Sequence, residues 1–489
     1  MPLRRLSRVG AGLLALGIVT LVVLIRSAPR VLPDGREPLD RGAAASQTKA
    51  PNIVLVLSDD QRWDTLWAMP TVQSQLVGRG VEFTNGFVVN PICCPSRTSI
   101  LTGSYSHSTG VYRDLRPHGG FDTFTKRRED RSTIATWLHA AGFRTALIGK
   151  YLNGYTTKRT SYVPPGWDRW VAFTSERGNG DYYNYDLSVD GISRSYASSE
   201  SHYSTDLLAG KAVDFILSTT STQPLFLYFA PNAPHQPATP AARYAGSFSD
   251  LSAWRPPSYN ETDVSDKPAY VRALPSLDPS EQAETDALRI DQYRTLLALD
   301  DAVKAILVAL QETGRLSDTL FVFTSDNGVL WGEHRWTHKS VPYEESIRVP
   351  MVVRYDPMIS APHADTHLVA NIDLAPTFTA AAGASAPHVE GESFLSLLDA
   401  SSPTWRSGFL IEHLRSSAVE VPTYCALRSR RFLYVAYETR EEELYDLRTD
   451  PGELQNLASE LVYASVLAAR RARLRALCDP PPPGDTFVP

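Results

Sequence analysis

The pattern with the most direct chemical meaning is Cys-Cys-Pro-Ser-Arg at residues 93–97, with Leu-Thr-Gly at 101–103. Pro95 favours the opening of a short helix and Gly103 favours its end. Cys93 would then lie at a helix N-terminus, where free backbone N–H groups favour an anion. The alternative interpretation is that the two cysteines only begin an ordinary helix or form a redox pair. Adjacent cysteines do not form the C-x-x-C redox motif, so the pattern favours a reactive side chain beside an anion site.

Two continuous apolar runs, residues 52–57 and 319–324, end in oxygen-bearing side chains. These side chains are Asp59, Asp60, Asp326 and Asn327. Such runs are typical of buried parallel strands, and ligands gather at the carboxyl ends of such strands. Carboxylate and amide oxygens select Ca²⁺ or Mg²⁺ over zinc. Acidic residues at strand ends are common in ordinary loops. These positions therefore predict a metal site only in combination with the Cys93 motif.

Four basic side chains lie near the same predicted edge of the sheet, after predicted strands or beside a predicted helix. They are Arg97, Lys150, His235 and Lys339. Arg97 lies one helical turn after Cys93 and can support it and the metal ligands. A lone His or Lys in a loop is usually only solvated. The prediction of an anion site depends on all four lying together.

In these motifs the chain resembles the type I, formylglycine-dependent sulfatases, from about residue 51 to residue 458. The resemblance implies that a maturation enzyme converts Cys93 to formylglycine. A hydroxyl of the hydrated aldehyde then attacks the sulfur of a sulfate ester. The resemblance also implies an α/β fold like that of alkaline phosphatase, with a mostly parallel sheet flanked by helices and a smaller C-terminal α+β domain.

The same resemblance assigns roles to individual residues. The metal ligands for Ca²⁺, with Mg²⁺ as the alternative, would be Asp59, Asp60, Cys93, Asp326 and Asn327. The catalytic residues would be Cys93, Arg97, His235 and Lys339. The substrate-binding residues would be Lys150, Asn153, His235 and Lys339. Of these, His235 and Lys339 would protonate or stabilise the oxygen that leaves.

Within the family, the likeness is to N-acetylglucosamine-6-sulfatases and extracellular endosulfatases. It rests on the Cys-Cys-Pro-Ser-Arg motif and on shorter patterns at residues 149–153, 182–185, 233–235 and 369–374. The implied substrate is a sulfated sugar such as glucosamine 6-sulfate. A phosphonate or phosphate ester hydrolase of the same superfamily is one alternative. A non-catalytic protein that binds sulfated glycans, with Cys93 unmodified, is the other.

Two positions depart from the family pattern. Leu152 occupies the place where many sulfatases carry a His that assists the release of sulfate, and Leu has no proton to exchange. Asn153 and His107 are the candidates to replace it. Ser104 stands where Lys or Arg commonly follows Leu-Thr-Gly, which would weaken recognition by the maturation enzyme.

The remaining sequence sets the predicted organisation. Residues 1–26 contain basic side chains and a long apolar run and predict an export signal or membrane anchor. Residues 27–50 read as a linker, 51–385 as the catalytic domain, 386–479 as a C-terminal subdomain and 480–489 as a disordered tail. We therefore expect an exported protein, either released or held at the outer face of the membrane.

Charge and cysteine content narrow the classes further. A net charge of −6 argues against a general nucleic-acid binder, so no nucleic-acid partner is expected. Of the four cysteines, Cys425 and Cys478 lie outside the Cys93 motif. They form either a disulfide, as an exported chain permits, or two buried free thiols.

Overall fold

The computed structural model of the protein describes residues 50–174, 181–400, 403–416 and 420–484. The predicted export segment and nearly all of the predicted linker lie outside these residues, as do residues 485–489. Among the described residues, no helix combines the length and the apolar character needed to cross a bilayer.

The described strands, in chain order, are β1 (Asn52–Ser58), β2 (Val81–Phe83), β3 (Gly86–Phe87), β4 (Arg144–Gly149), β5 (Arg169–Phe173), β6 (Tyr185–Val189), β7 (Ile192–Tyr196), β8 (Leu225–Ala230), β9 (Thr319–Ser325), β10 (Met351–Arg354), β11 (His363–Asp365), β12 (Val369–Ala370), β13 (Gly408–His413), β14 (Tyr424–Ser429), β15 (Phe432–Tyr437) and β16 (Glu442–Asp446). The described α-helices are α1 (Cys93–Thr102), α2 (Ser106–Thr109), α3 (Gly120–Lys126), α4 (Ile134–Ala140), α5 (Ser204–Ser218), α6 (Ala269–Arg272), α7 (Pro279–Glu312), α8 (Glu344–Ile347), α9 (Leu374–Ala381) and α10 (Ala464–Leu477).

A ten-stranded sheet lies at the centre, in the order β11-β2-β10-β9-β1-β8-β4-β5-β6-β7. Strands β9, β1, β8, β4 and β5 run parallel to one another, whereas β10 pairs antiparallel with β9, β6 with β5 and β7 with β6. Every residue of β1, β8 and β9 is buried, as expected for strands covered on both faces. The predicted α/β class, with a mostly parallel sheet, is confirmed.

The register of the central strands aligns their carboxyl ends. Ser58, the last residue of β1, pairs with Ser325, the last residue of β9. On the other side of β1, Gly149 at the end of β4 pairs with Ala230 at the end of β8. Loops that follow these four strands therefore leave the sheet at one edge.

Helices cover both faces of this sheet. Apolar side chains of α5 and α7 pack against one face, and those of α1, α4 and α9 pack against the other. A 3₁₀ turn (Asn371–Asp373) leads directly into α9.

The C-terminal part has its own four-stranded antiparallel sheet, in the order β13-β14-β15-β16, covered on one face by α10. Cys425 of β14 and Cys478, which follows α10, form a disulfide, so the disulfide alternative is confirmed. The smaller C-terminal α+β part is thus present as expected. The domain boundaries drawn at residues 385 and 479 remain predictions. In the part of the tail that is described, residues 480–484, Pro482 is buried.

Candidate active site

The carboxyl ends of β1 and β9 carry the predicted oxygen ligands side by side. The backbone N–H of Asp60 donates to Oδ1 of Asp326 at 3.2 Å, and the side-chain amide of Asn327 donates to Oδ1 of Asp60 at 2.5 Å. Asp60 adopts a left-handed conformation with φ of 64°. This turn directs its carboxylate toward β9, which is a constraint that the sequence pattern alone does not show.

Cys93 lies at the start of α1, as predicted for a residue beside an anion site. The helix begins at Cys93 and not at Pro95, which falls inside the first turn, so the predicted start was two residues late. Gly103 ends the helix with φ of 69°, as expected.

Cys93 is only 1% exposed. Burial raises the pKa of its thiol well above the usual range, although Lys150 and Lys339 oppose this effect. The unmodified side chain is therefore a neutral thiol and not a thiolate nucleophile.

Two buried cations neutralise the carboxylates at the base of the site. The Nζ atom of Lys150 lies 2.5 Å from Oδ2 of Asp59. Arg97 donates from Nε to Oδ2 of Asp326 at 2.7 Å and from a terminal nitrogen to the carbonyl oxygen of Lys150 at 2.8 Å. Because all four side chains are buried, this network fixes the geometry of the site.

The other two predicted basic residues lie nearer the opening. Lys339 donates to the carboxylate of Asp60, and its Nζ atom lies 2.8 Å from Sγ of Cys93. The Nε2 atom of His235 lies 3.6 Å from Oδ2 of Asp60. The two side chains are 16% and 14% exposed, in contrast to fully buried Lys150 and Arg97. Of the four cations, these two lie closest to solvent.

These cations keep the aspartates charged. Burial would raise the pKa of Asp59, but Lys150, His235 and Arg97 outweigh it and lower the pKa to about 2. For Asp60, burial is likewise outweighed, chiefly by Lys339, and its pKa is lowered. Both carboxylates are ionised at neutral pH, as a metal ligand must be.

The residues present fit a divalent cation. Asp59, Asp60, Cys93 and His235 each offer a ligand atom, and the four atoms lie within 4.8 Å of one another. Oδ1 of Asn327 is buried and has no hydrogen-bond partner among the described residues, so this oxygen is available to a cation. Asp326 is not one of this group of four. Its carboxylate oxygens bind Arg97 and the Asp60 N–H instead, and its role as a metal ligand remains a prediction.

The contacts of His107 show that it does not replace the missing His at Leu152. The ring nitrogens of His107 lie 3.0 Å from Oε1 of Glu412 and 3.3 Å from Oε1 of Glu390. Burial opposes protonation, but these two carboxylates raise the pKa of His107 to about 10. A permanently charged imidazolium is not a base at neutral pH. Leu152 itself is buried in the hydrophobic core, and Asn153 beside it is 4% exposed.

Sequence reasoning missed several residues that support the site. Asp114 accepts a hydrogen bond from the backbone N–H of Cys94 at 2.9 Å and so stabilises the first turn of α1. Trp336 donates to the carbonyl oxygen of Lys339 at 3.2 Å, and Tyr424 of β14 donates to that of Ser340 at 3.2 Å. A lone Asp in a loop and a Tyr in a strand have ordinary structural explanations, so no sequence signal marks them.

The mostly parallel ten-stranded sheet with helices on both faces, together with the smaller C-terminal antiparallel sheet, defines the alkaline-phosphatase-like fold. Residues 51–384 match the family described as sulfatase, and residues 332–479 match the one described as N-sulphoglucosamine sulphohydrolase, C-terminal. The chain belongs to the sulfatase family, and it is a sulfuric ester hydrolase.

The chain is similar to several known proteins along most of its length. It is 32% identical to an N-acetylglucosamine-6-sulfatase of Capra hircus, covering 89% of this chain and 88% of that protein. It is 31% identical to an arylsulfatase of Volvox carteri, covering 89% and 75%. A solved structure described as a complex with its substrate D-glucosamine-2-N,6-O-disulfate superimposes with a TM-score of 0.77 at 24% identity, covering 88% and 98%. This last likeness shows the fold.

Proposed function

We propose that the chain hydrolyses the sulfate ester of a sulfated sugar of the N-acetylglucosamine 6-sulfate type, using formylglycine made from Cys93 and a bound divalent cation. The observation that carries the proposal is the position of Cys93, at the N-terminus of α1 and between Asp59 at 3.5 Å and Lys339 at 2.8 Å. The names of the similar sulfatases support the choice of sugar.

Each part of the site has a place in this reaction. Formylglycine, once hydrated, supplies the hydroxyl that attacks sulfur. Asp59, Asp60, Asp326 and Asn327 would hold Ca²⁺ or Mg²⁺, which supplies Lewis-acid chemistry at the sulfate. Arg97 holds Asp326 in place, and Lys150 holds Asp59 in place. The positive charge of Lys150 also favours binding of the sulfate anion.

The leaving oxygen needs a proton or a positive charge as the S–O bond breaks. Lys339 lies 2.8 Å from Sγ of Cys93, so its ammonium can stabilise negative charge that develops beside the nucleophile. His235 lies on the same open side of Asp60 and would donate a proton to the sugar oxygen. Asn153 would contribute a hydrogen bond to the substrate. Because Glu412 and Glu390 hold His107, Asn153 is the remaining candidate to replace the missing His at Leu152.

The proposal includes export and a maturation enzyme that acts on Cys93. The disulfide between Cys425 and Cys478 supports an oxidising compartment, because such bonds are rare in the cytosol. Residues 1–26 would direct the export, as a cleaved signal or as a membrane anchor.

The first experiment is the mass of the proteolytic peptide that contains Cys93, from protein made in its own host, together with sulfate release from N-acetylglucosamine 6-sulfate. We expect a lighter peptide that carries an aldehyde, and release of sulfate. A thiol at full occupancy, with no sulfate release, contradicts the proposed mechanism and favours a protein that binds sulfated glycans without turnover.

Metal removal provides a second test. Chelation followed by gel filtration is expected to lower kcat at least about 100-fold, because Lewis-acid stabilisation of the transition state supplies several kcal/mol. Ca²⁺ or Mg²⁺ is expected to restore activity and Zn²⁺ is not, since most of the ligand atoms are hard oxygens. Circular dichroism before and after chelation serves as the control for folding. Full activity in the metal-free, folded protein would contradict the proposed cofactor.

A further inference from the structure

Three ionisable side chains outside the active site lie close together in the interior of the protein. They are His334, in the loop that follows β9, Glu345 of α8, and Glu453, in the loop that follows β16. Their exposed fractions are 0%, 7% and 0%. Each offers one ligand atom, and these three atoms lie within 4.8 Å of one another. Buried ionisable groups need compensation, because taking a charge out of water is costly.

Each of the three side chains has a buried polar atom without a hydrogen-bond partner. These atoms are Nε2 of His334, Oε2 of Glu345 and Oε1 of Glu453, and none of them bonds to any residue that the structure describes. A cluster held together by its own hydrogen bonds would pair these atoms with one another. Close approach without hydrogen bonding is the arrangement expected of atoms that surround a common ion.

The remaining polar atoms of two of these side chains are held in place. Nδ1 of His334 lies 2.7 Å from Oε2 of Glu261, whose Oε1 atom lies 3.5 Å from Nζ of Lys267. Because an ionised carboxylate only accepts hydrogen bonds, Nδ1 carries the hydrogen and Nε2 keeps a free lone pair. Such a pairing of carboxylate with imidazole orients histidine ligands at metal sites. Likewise, Oε2 of Glu453 accepts the backbone N–H of Glu344 at 3.0 Å, which leaves Oε1 free.

The two glutamates of the cluster have no cationic partner. Neither Glu345 nor Glu453 forms an ion pair with a described residue, and the nearby Arg62 and Arg428 bind other carboxylates at 2.6 Å. Without a cation, burial raises the pKa of Glu345 to about 7 and the pKa of Glu453 well above its usual range. A divalent cation between them would compensate both negative charges.

We propose that His334, Glu345 and Glu453 bind a Zn²⁺ ion, at a second metal site separate from the one beside Cys93. An imidazole nitrogen combined with carboxylate oxygens suits zinc, whereas Ca²⁺ and Mg²⁺ take oxygen ligands. Three protein ligands leave the fourth tetrahedral position for water. With a neutral imidazole, the ion and the two carboxylates have no net charge, which suits a buried site.

This ion would stabilise the loop that carries Lys339. His334 and Glu345 flank Lys339 in the sequence, and Glu453 belongs to the C-terminal part of the chain. An ion bound to all three would join the two ends of the loop to each other and to that part. Because the ligands are buried, the ion should exchange slowly and remain bound during a brief chelation that removes the ion of the active site.

The zinc content of the untagged, full-length protein tests the proposal. After gel filtration in metal-free buffer, we expect about one zinc per chain by elemental mass spectrometry, counted apart from calcium and magnesium. Glu453→Gln keeps the size of the side chain but removes its charge, and should lower the zinc content at least about tenfold. Glu412→Gln is the matched control and should retain zinc, because Glu412 is equally buried but binds His107.

Anomalous diffraction from crystals of the wild-type protein, recorded on both sides of the zinc absorption edge, does not depend on the folding of a variant. We expect a zinc peak between Nε2 of His334 and the carboxylates of Glu345 and Glu453. Wild-type protein without zinc at this position, or equal zinc content in Glu453→Gln and the wild type, overturns the proposal. The proposed sulfatase reaction stands in either case, because it does not use this ion.

Discussion

The Cys93→Ala variant is expected to remain folded and to lose sulfate-ester hydrolysis by at least about 10⁴-fold, the order of loss when a covalent nucleophile is removed. Cys93 is the side chain that lies within reach of both Asp59 and Lys339, and the proposed aldehyde can form nowhere else in this group. Sulfate release from N-acetylglucosamine 6-sulfate, measured beside a wild-type protein prepared in the same host, gives the comparison.

Cys94→Ala is the matched control for this variant. Cys94 is the next residue of α1 and is equally buried, but its side chain belongs to the hydrophobic core on one face of the sheet. Its backbone N–H still donates to Asp114 after the substitution. We expect this variant to retain activity within about a factor of ten and to lose about 1 kcal/mol of stability from the small cavity. Equal loss of activity in both variants would show that disturbance of α1, and not the missing nucleophile, is responsible.

Replacing Arg97 with methionine is expected to lower the free energy of unfolding of the metal-free protein by about 3–5 kcal/mol, the cost of leaving a buried charge without its partner. Arg97 is fully buried and binds Asp326 at 2.7 Å, so its removal leaves that carboxylate without a cationic partner at this distance. Activity should fall as well, because Asp326 and the carbonyl oxygen of Lys150 both lose the group that holds them. Urea denaturation followed by tryptophan fluorescence measures the loss of stability.

The Arg243→Met variant is the control for Arg97→Met, because it removes ion pairs that are exposed and not buried. Arg243 also forms close ion pairs, at 2.6 Å with Asp206 and 3.0 Å with Asp301, but its side chain is 40% exposed. Exposed pairs contribute about 1 kcal/mol or less because water and salt screen them. A loss in Arg97→Met no larger than in Arg243→Met would contradict the structural role assigned to Arg97.

Much of the site could be predicted because its residues follow strands that the sequence marks plainly. The runs that became β1 and β9 are continuously apolar, and their ends carry Asp59 and Asp326. A parallel sheet places the carboxyl ends of its strands at one edge. The proximity of these acidic residues could therefore be predicted without knowledge of the strand order. Lys150 and His235 were found in the same way, after β4 and β8.

The contacts made across long distances in the chain could not be predicted. Nothing in the residue pattern pairs Lys150 with Asp59 instead of Asp326, because both carboxylates lie at the same edge. The support that Tyr424 gives to the Lys339 loop depends on how the C-terminal sheet packs, and a buried Tyr in a strand is most often only core. His107 shows the opposite error, since its type suited a proton transfer that Glu412 and Glu390 exclude.

The burial of Cys93 also limits when its side chain is accessible to another enzyme. A maturation enzyme cannot reach a side chain that is 1% exposed, so the proposed modification of Cys93 would have to precede the closing of the site. Closure requires Lys339, which lies 246 residues further along the chain. At synthesis rates of about 5–20 residues per second, Lys339 emerges about 12–50 s after Cys93. Under the proposed mechanism, the fraction of active molecules would depend on the rate of modification relative to the rate of folding. Slower translation, or a variant that folds more slowly, would then yield more active enzyme from the same chain.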